Sequence, residues 1–244
     1  MQCVVVAVAN NDGGLVDLQN NRLWSLLGEV AMHLNAVTES TVMPRSPSNA
    51  VIMGRKTWDA MVSMMHRPLP NRLNIVVSSS PDAVHIPGPE PRMAPHAPVL
   101  ICASLQNALD TADNAGAARA FVLGGARLYE EAITTLTDVR LMLVRIQCDE
   151  PCAVTVPGLS VAAIAEHWKP LGEAWRHEAR DDVSAMDVLF FRRQLGSAAA
   201  ALRMHVPKPA TEEDWCKLAA ERAGAGLDFV PLTDVRKNKS SCFV

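Results

Sequence analysis

The chain has 244 residues, enough for one to two domains at the usual size of about 150 residues each. Hydrophobic residues make up 49% and charged residues 20%, with aromatics at only 5%, so a sizeable core must be mainly aliphatic, built from Ala, Val, Leu and 11 Met. A net charge of −3 excludes general binding of nucleic acid or anionic membrane surfaces, and no apolar run reaches the roughly 20 residues of a membrane span.

Met1-Gln2 leads directly into the run Cys3–Val8, which predicts a first strand. No basic region precedes it, so no signal or transit peptide is expected. The cytoplasm is the expected location, or the mitochondrion for a processed chain. A helical pattern covers Leu23–Val37, and the polar, Ser/Pro/Thr-rich stretch Thr38–Asn49 predicts an exposed loop insertion. Further strands are predicted at Ala50–Met53, Asn74–Ser78, Pro98–Cys102, Ala120–Leu123, Arg140–Ile146 and Ala185–Arg192. Helices are predicted between them at Lys56–Met64, Ser104–Ala115 and Ala126–Thr134, the second opened by an N-cap serine, Ser104. This alternation predicts an α/β fold with a largely parallel central sheet, closed by an antiparallel hairpin of the last two strands.

After Leu195 the chain enters a Pro-flanked linker at Val206-Pro207-Lys208-Pro209, then a charged helix candidate, Thr211–Ala223. The expected division is a main domain over 1–195 and a linker with a short helical tail over 196–244. That tail is too short for its own core, so it is expected to dock on the main domain or on a protein partner. The six cysteines lack paired C-x-x-C spacing, which argues for reduced thiols and no metal site. Cys242 stands third from the end, one place short of a prenylation box.

Two strand–glycine–helix junctions carry the chemistry. Val122-Leu123-Gly124-Gly125-Ala126-Arg127-Leu128-Tyr129 brings a double glycine to a helix start, where backbone N–H groups and the helix dipole favour a phosphate. A glycine pair serving only to pack the turn is the alternative. Val51-Ile52-Met53-Gly54-Arg55-Lys56-Thr57-Trp58 places two cations and a hydroxyl at a second helix start, suited to a phosphate monoester or else to simple solvation. Two such junctions in one α/β domain point to a dinucleotide site. In a third segment, Arg67-Pro68-Leu69-Pro70-Asn71-Arg72, prolines fix a rigid approach to a strand that ends at Ser78-Ser79, where ligands of open α/β sheets bind.

In this order and on these strands, the Gly-Arg-Lys-Thr-Trp, Arg-Pro-Leu-Pro-Asn-Arg-Leu-Asn and Gly-Gly-x-x-x-Tyr motifs resemble the dihydrofolate reductase family. The resemblance covers about Cys3 to Leu195 and is strongest to the reductase portion of the kinetoplastid-type bifunctional reductase–thymidylate synthase. It implies a mostly parallel eight-stranded sheet flanked by helices, NADPH as hydride donor and a dihydrofolate-like substrate. Carried over by position, Gly124, Gly125, Ala126, Arg127, Leu128 and Tyr129 would cradle the pyrophosphate and nicotinamide ribose. Gly54, Arg55, Lys56, Thr57, Ser78 and Ser79 would hold the adenosine half. Arg72 would pair bidentately with the α-carboxylate of the substrate's glutamate tail. Ala7 joins the cofactor-binding set and, with Val5, Val30, Met61 and Leu69, would line the pterin and aminobenzoyl pockets. Glu29, five residues after Trp24, falls where the family places its lone carboxylate, which handles the proton for N5; Trp24 joins it in the catalytic set.

The departures are specific. The family's Gly-Ile-Gly…Pro-Trp loop reads Asp12-Gly13-Gly14-Leu15-Val16 up to Leu23-Trp24, so glycine and proline positions that a closing loop relies on are changed. His33 stands where an aromatic stacks on the substrate, and Val144 where a threonine bonds the acid. The expected function is therefore NADPH-dependent reduction of 7,8-dihydrofolate, at a reduced rate. The alternative is a catalytically inactive reductase fold kept as a structural or assembly subunit that docks through residues 196–244. Catalytic segments of thymidylate synthase are absent, so no synthase activity is expected.

Overall fold

The computed structural model describes residues 1–17, 23, 37–39, 49–87, 98–148, 151–172, 175–177, 185–194 and 208–209. The chain begins with β1 (Gln2–Ala9), β2 (Gly14–Asp17), β3 (Asn49–Gly54), α1 (Arg55–Met65), β4 (Leu73–Val77) and β5 (Val99–Cys102). It continues through α2 (Leu105–Asn114), β6 (Arg119–Val122), α3 (Ala126–Thr135), β7 (Val139–Ile146), β8 (Cys152–Thr155) and α4 (Val161–His167). The last elements are β9 (Trp168–Pro170), β10 (Trp175–His177), β11 (Met186–Arg193) and β12 (Lys208–Pro209).

Eight strands form the body of the sheet in the order β10-β11-β7-β1-β6-β3-β4-β5, with β12 added outside β10 and β9 against β11. From β7 to β5 every neighbouring pair is parallel, and β11 runs antiparallel to β7. The run Cys-Val-Val-Val-Ala-Val-Ala of β1 has little polar alternation because the strand is covered on both faces, as a central parallel strand must be. On one face Val5 and Ala7 pack with Leu105 of α2, Leu128 and Tyr129 of α3 and Ile164 of α4. On the other, Val4 and Val6 join Trp58 and Met61 of α1, Leu69 and Phe121. Trp58 is fully buried, and its indole N–H is satisfied by the carbonyl of His85 at 2.8 Å.

The α/β architecture and its parallel sheet match the sequence expectation, and Ser104 does cap α2, accepting from Asn107 N at 3.2 Å. Three local expectations are corrected. The last two long strands, β7 and β11, are antiparallel but do not form a hairpin, since β8, α4, β9 and β10 lie between them in the chain. The ends of the expected loop insertion are not exposed. Thr38 and Asn49 are both buried, and Asn49, the first residue of β3, donates through Nδ2 to the carbonyl oxygens of Thr38 at 3.4 Å and Glu39 at 3.0 Å. Lys208 and Pro209, expected in a linker, add a short strand beside Trp175 and Arg176. Most of the helix expected at Leu23–Val37, and the tail beyond 209, lie outside the described residues.

The antiparallel end of the sheet carries a cross-strand charge row. Arg176, Asp187 and Arg145 sit opposite one another on β10, β11 and β7. Arg176 grips Asp187 with two bonds, at 2.9 and 3.3 Å, and the same carboxylate opposes the downward push that burial exerts on the pKa of Arg145.

At the other end of β1, burial and then the Asp138 carboxylate push the Cys3 thiol from an ordinary 9.0 up to about 12. A folded-state value above the unfolded one means that the neutral thiol favours the native state fully below pH 9.0 and ceases to do so as pH climbs toward about 12. Cys3→Ala is therefore expected to flatten the alkaline fall in stability in urea titrations, while costing about 1 kcal/mol of packing at neutral pH. An unchanged alkaline slope would count against this account.

Candidate active site

The two strand–glycine–helix junctions lie side by side. β3 and β6 pair in parallel, with Ile52 opposite Val122, and each strand turns into a helix through glycine, Gly54 into α1 and Gly125 into α3. The turns are bonded to each other. Gly54 N donates to Gly124 O at 2.7 Å, directly beyond the bond from Leu123 N to Ile52 O at 2.8 Å. The Gly124–Gly125 peptide is cis. Gly124 has φ +98°, and a Cβ built there would lie 2.7 Å from the ring of Tyr129. A Cβ at Gly125 would lie 3.4 Å from Thr57 Oγ1, so the two helix starts approach within ordinary contact.

Among the described helices, capping and first-turn cations set these two apart from α2 and α4. α2 and α4 are capped by the hydroxyls of Ser104 and Ser160. α1 and α3 begin at glycine, have no side-chain cap and carry no acid in the first turn. Arg55, Lys56 and Arg127 occupy those turns instead, placing cations at the positive end of a helix dipole, which is unfavourable unless an anion sits there. Arg55 and Thr57 are half-buried, while Lys56 and Arg127 are exposed.

Tyr129 forms the floor of the second junction. Its hydroxyl donates to Val6 O of β1 at 2.8 Å, and full burial raises its pKa well above the usual phenol range, so it remains a neutral donor. Beyond β4, Ser78 is buried and bonded within its own turn, donating to Ser80 O at 3.0 Å and accepting from Ser80 N at 3.1 Å. Ser79, the neighbour that faces solvent, keeps its hydroxyl at the surface.

On the α1 side, the segment before β4 is organised by Asn74. This buried amide accepts from Leu69 N at 3.1 Å and donates to Leu69 O at 2.9 Å and Arg72 O at 3.2 Å, tying the Pro-Leu-Pro approach to the strand. Asn71 occupies the left-handed region at φ +57°, which its short amide side chain tolerates. Arg72 follows with its guanidinium fully buried. Its Nε donates to Pro70 O at 2.7 Å and its Nη1 to Thr38 Oγ1. The Glu39 carboxylate lies 4.0 Å from Nη2 and accepts from Asn71 Nδ2.

The hydrophobic candidates divide between faces. Val5 and Ala7 belong to the cluster that contains Leu128 and Tyr129, whereas Met61 and Leu69 lie on the α1 side. Leu23 and Val144 share the α1-side cluster, and Val144 is fully buried there. Trp24, Glu29, Val30 and His33 lie outside the described residues. Sequence reasoning passed over Thr38, Glu39, Asn49 and Asn74. The first three fall in or beside a stretch whose composition reads as a surface loop. Asn74 was visible within the third motif, but only its position two residues after Arg72 hinted at a structural task. Asn10 was also missed. It is buried and receives Gly14 N at 2.7 Å and Asp12 N at 3.1 Å while donating to Cys152 Sγ at 3.5 Å, which fixes the turn from β1 into β2 against β8.

Gly124→Ala is expected to destabilise the fold by about 3 kcal/mol or more, because it combines an unfavourable φ with a clash against a buried ring. Asn74→Ala is expected to cost about 2 kcal/mol by stranding both backbone groups of Leu69. Urea denaturation of each variant checks both values, and a change under 0.5 kcal/mol in either would contradict the geometry.

A sequence model of the family described as dihydrofolate reductase matches residues 3–193. The dihydrofolate reductase of Drosophila melanogaster is 29% identical over 157 residues, covering 64% of this chain and 79% of the fly protein. That of Candida albicans is 32% identical over 128 residues, 52% of this chain and 59% of the yeast protein. The bifunctional dihydrofolate reductase-thymidylate synthase of Daucus carota is 35% identical over 136 residues, 53% of this chain and 23% of the carrot protein. The chain thus spans less than two thirds of the yeast and carrot relatives.

Proposed function

The chain belongs to the dihydrofolate reductase family, and from that premise we propose that it reduces 7,8-dihydrofolate, or a closely related dihydropterin, to the tetrahydro form with NADPH. The observation that carries this reading is the bonded pair of glycine-started helix ends, uncapped and lined by cations, at the carboxyl edges of β3 and β6. That donor set suits the phosphates of a dinucleotide. Gly54, Arg55, Lys56, Thr57 and Ser79 would hold the adenosine half, with Ser78 supporting the turn. Gly124, Gly125, Ala126, Arg127, Leu128 and Tyr129 would hold the pyrophosphate and the nicotinamide ribose. When bound, the cofactor supplies a hydride to C6 of the dihydropterin.

The chain's own residues then bind, orient and supply a proton route. Met61 and Leu69, with Val30 and His33, would enclose the pterin and the aminobenzoyl group, and Val5 and Ala7 would back the cleft through β1. Arg72 would receive a carboxylate of the substrate tail. Glu29, five residues after Trp24 in the sequence, would grip the pterin amino group and N3 and handle the proton that N5 takes up.

One observation favours a second reading, a binding-competent but catalytically silent subunit. Val144, standing where the resemblance expects a threonine to hold the acid, is fully buried in apolar surroundings and offers no hydrogen bond from its side chain.

Stopped-flow oxidation of NADPH with dihydrofolate separates the readings. Turnover that falls by about 10²-fold or more in Glu29→Gln supports the reductase. Binding of both ligands without turnover supports the silent subunit, and absence of binding overturns both. The double variant Arg55→Ala/Lys56→Ala is expected to weaken NADPH about tenfold or more while leaving NADH, which lacks the 2′-phosphate, nearly unchanged.

A further inference from the structure

We propose that Glu39 is a specificity-determining residue, an internal carboxylate seated on Arg72 that competes with the α-carboxylate of a substrate's glutamate tail. The inference rests on the reading of this cleft as a reductase site in which Arg72 receives that carboxylate.

Glu39 is held in place from several directions. Asn49 Nδ2 bonds the carbonyl oxygens of Thr38 and Glu39, fixing this short segment to the first residue of β3. Thr38 Oγ1 accepts from Arg72 Nη1. Asn71, turned into the left-handed region, directs its amide nitrogen onto Glu39 Oε1, while Glu39 Oε2 faces Arg72 Nη2 at 4.0 Å. The result is a carboxylate placed on a buried guanidinium and steadied by a neighbouring amide, the same chemistry that a ligand carboxylate would bring.

Burial makes the arrangement consequential. Arg72 is 0% exposed, so its charge is compensated from within the fold, and Glu39, at 29% exposure, supplies a half-buried carboxylate beside it. A ligand carboxylate that reaches the same guanidinium meets a like charge a few ångströms away. It must displace Glu39 or share the cation with it, and either course offsets much of the attraction. The gain in affinity from a tail carboxylate is thereby reduced. Contacts to the pterin and aminobenzoyl rings, which do not involve Arg72, are left as they were. The site would accept dihydropterins with an uncharged tail almost as readily as those with a charged one.

The test compares folate with its α-carboxamide, which differ by one charge at the group in question, through tryptophan-fluorescence titration of the full chain. The wild type is expected to bind the two within about threefold of each other. Glu39→Gln keeps an oxygen for the Asn71 amide but removes the charge. It is expected to favour folate over the amide by tenfold or more, with the amide's own affinity unchanged. Glu39→Ala should shift the ratio in the same direction, which guards against an effect peculiar to glutamine. If both ligands bind and the ratio stays the same in the two variants, or if the wild type already prefers folate tenfold, the role of Glu39 is overturned. If neither ligand binds the wild type or the variants, the reductase reading fails and this inference falls with it.

Discussion

A single backbone bond, Gly54 N to Gly124 O at 2.7 Å, ties together the two glycine-started helix ends on which the proposed cofactor site rests. Parallel strands β3 and β6 deliver two helix starts to the same edge of the sheet, but sheet pairing alone stops at Ile52 and Val122. The bond continues the pairing past the end of the sheet and locks the two turns together. At Gly124 only a residue without a side chain fits, whereas a Cβ at Gly54 or Gly125 would meet its neighbours at ordinary contact distance. A Cβ at Gly124 meets the ring of Tyr129, and that ring is itself anchored to β1 through Val6 O. Strand β1, strand β3, strand β6 and helix α3 therefore meet at one point, and a change at any of them is felt by the others.

Polar groups are divided between two tasks on the same scaffold. Where the fold needs only closure, helix ends are satisfied internally by Ser104 and Ser160. At α1 and α3 side-chain caps are missing and cations occupy the first turn, so those ends forgo local stability and keep their first backbone donors free of a side-chain cap. The Arg72 corner follows the opposite policy. Asn74, Asn49 and Thr38 are buried with their bonds made, and they form a rigid polar cluster around a buried cation. One region thus leaves helix-end donors without side-chain caps, and the other fixes a side chain in place.

Features governed by local rules were legible in the sequence. The apolar run of β1, the serine cap of α2 and the glycines at both junctions each report a constraint acting over a few residues, and their elements lie within a residue or two of the expected places. Features set by distant contacts were not. Glu39 sits in a stretch whose composition signals a surface loop, and its proximity to Arg72 depends on Asn49 pinning the segment to β3. The strand at Lys208–Pro209 exists because β10 presents an edge to pair with, a property of the assembled sheet. Composition averages over such contacts. The division of Val5 and Ala7 from Met61 and Leu69 was in principle readable from the alternation of side chains along a strand, but a resemblance lists site residues without the face each one occupies.

That division has a mechanistic consequence for β1. Its odd-numbered residues pack with α3 and Tyr129, while Val4 and Val6 face Trp58 and Met61, so one strand backs the core on both faces of the sheet. A strand covered on both faces has little freedom to move, and β1 is paired with β7 over Cys3–Ala9 and with β6 over Gln2–Val5. Beyond its carboxyl end the chain leaves the main sheet for segments outside it. The first of these is the turn held by Asn10, whose side-chain oxygen gathers Asp12 N and Gly14 N and whose amide reaches Cys152. Because β2 pairs with β8 in a separate two-stranded ribbon with shifts in register, it is joined to the main sheet chiefly through this turn.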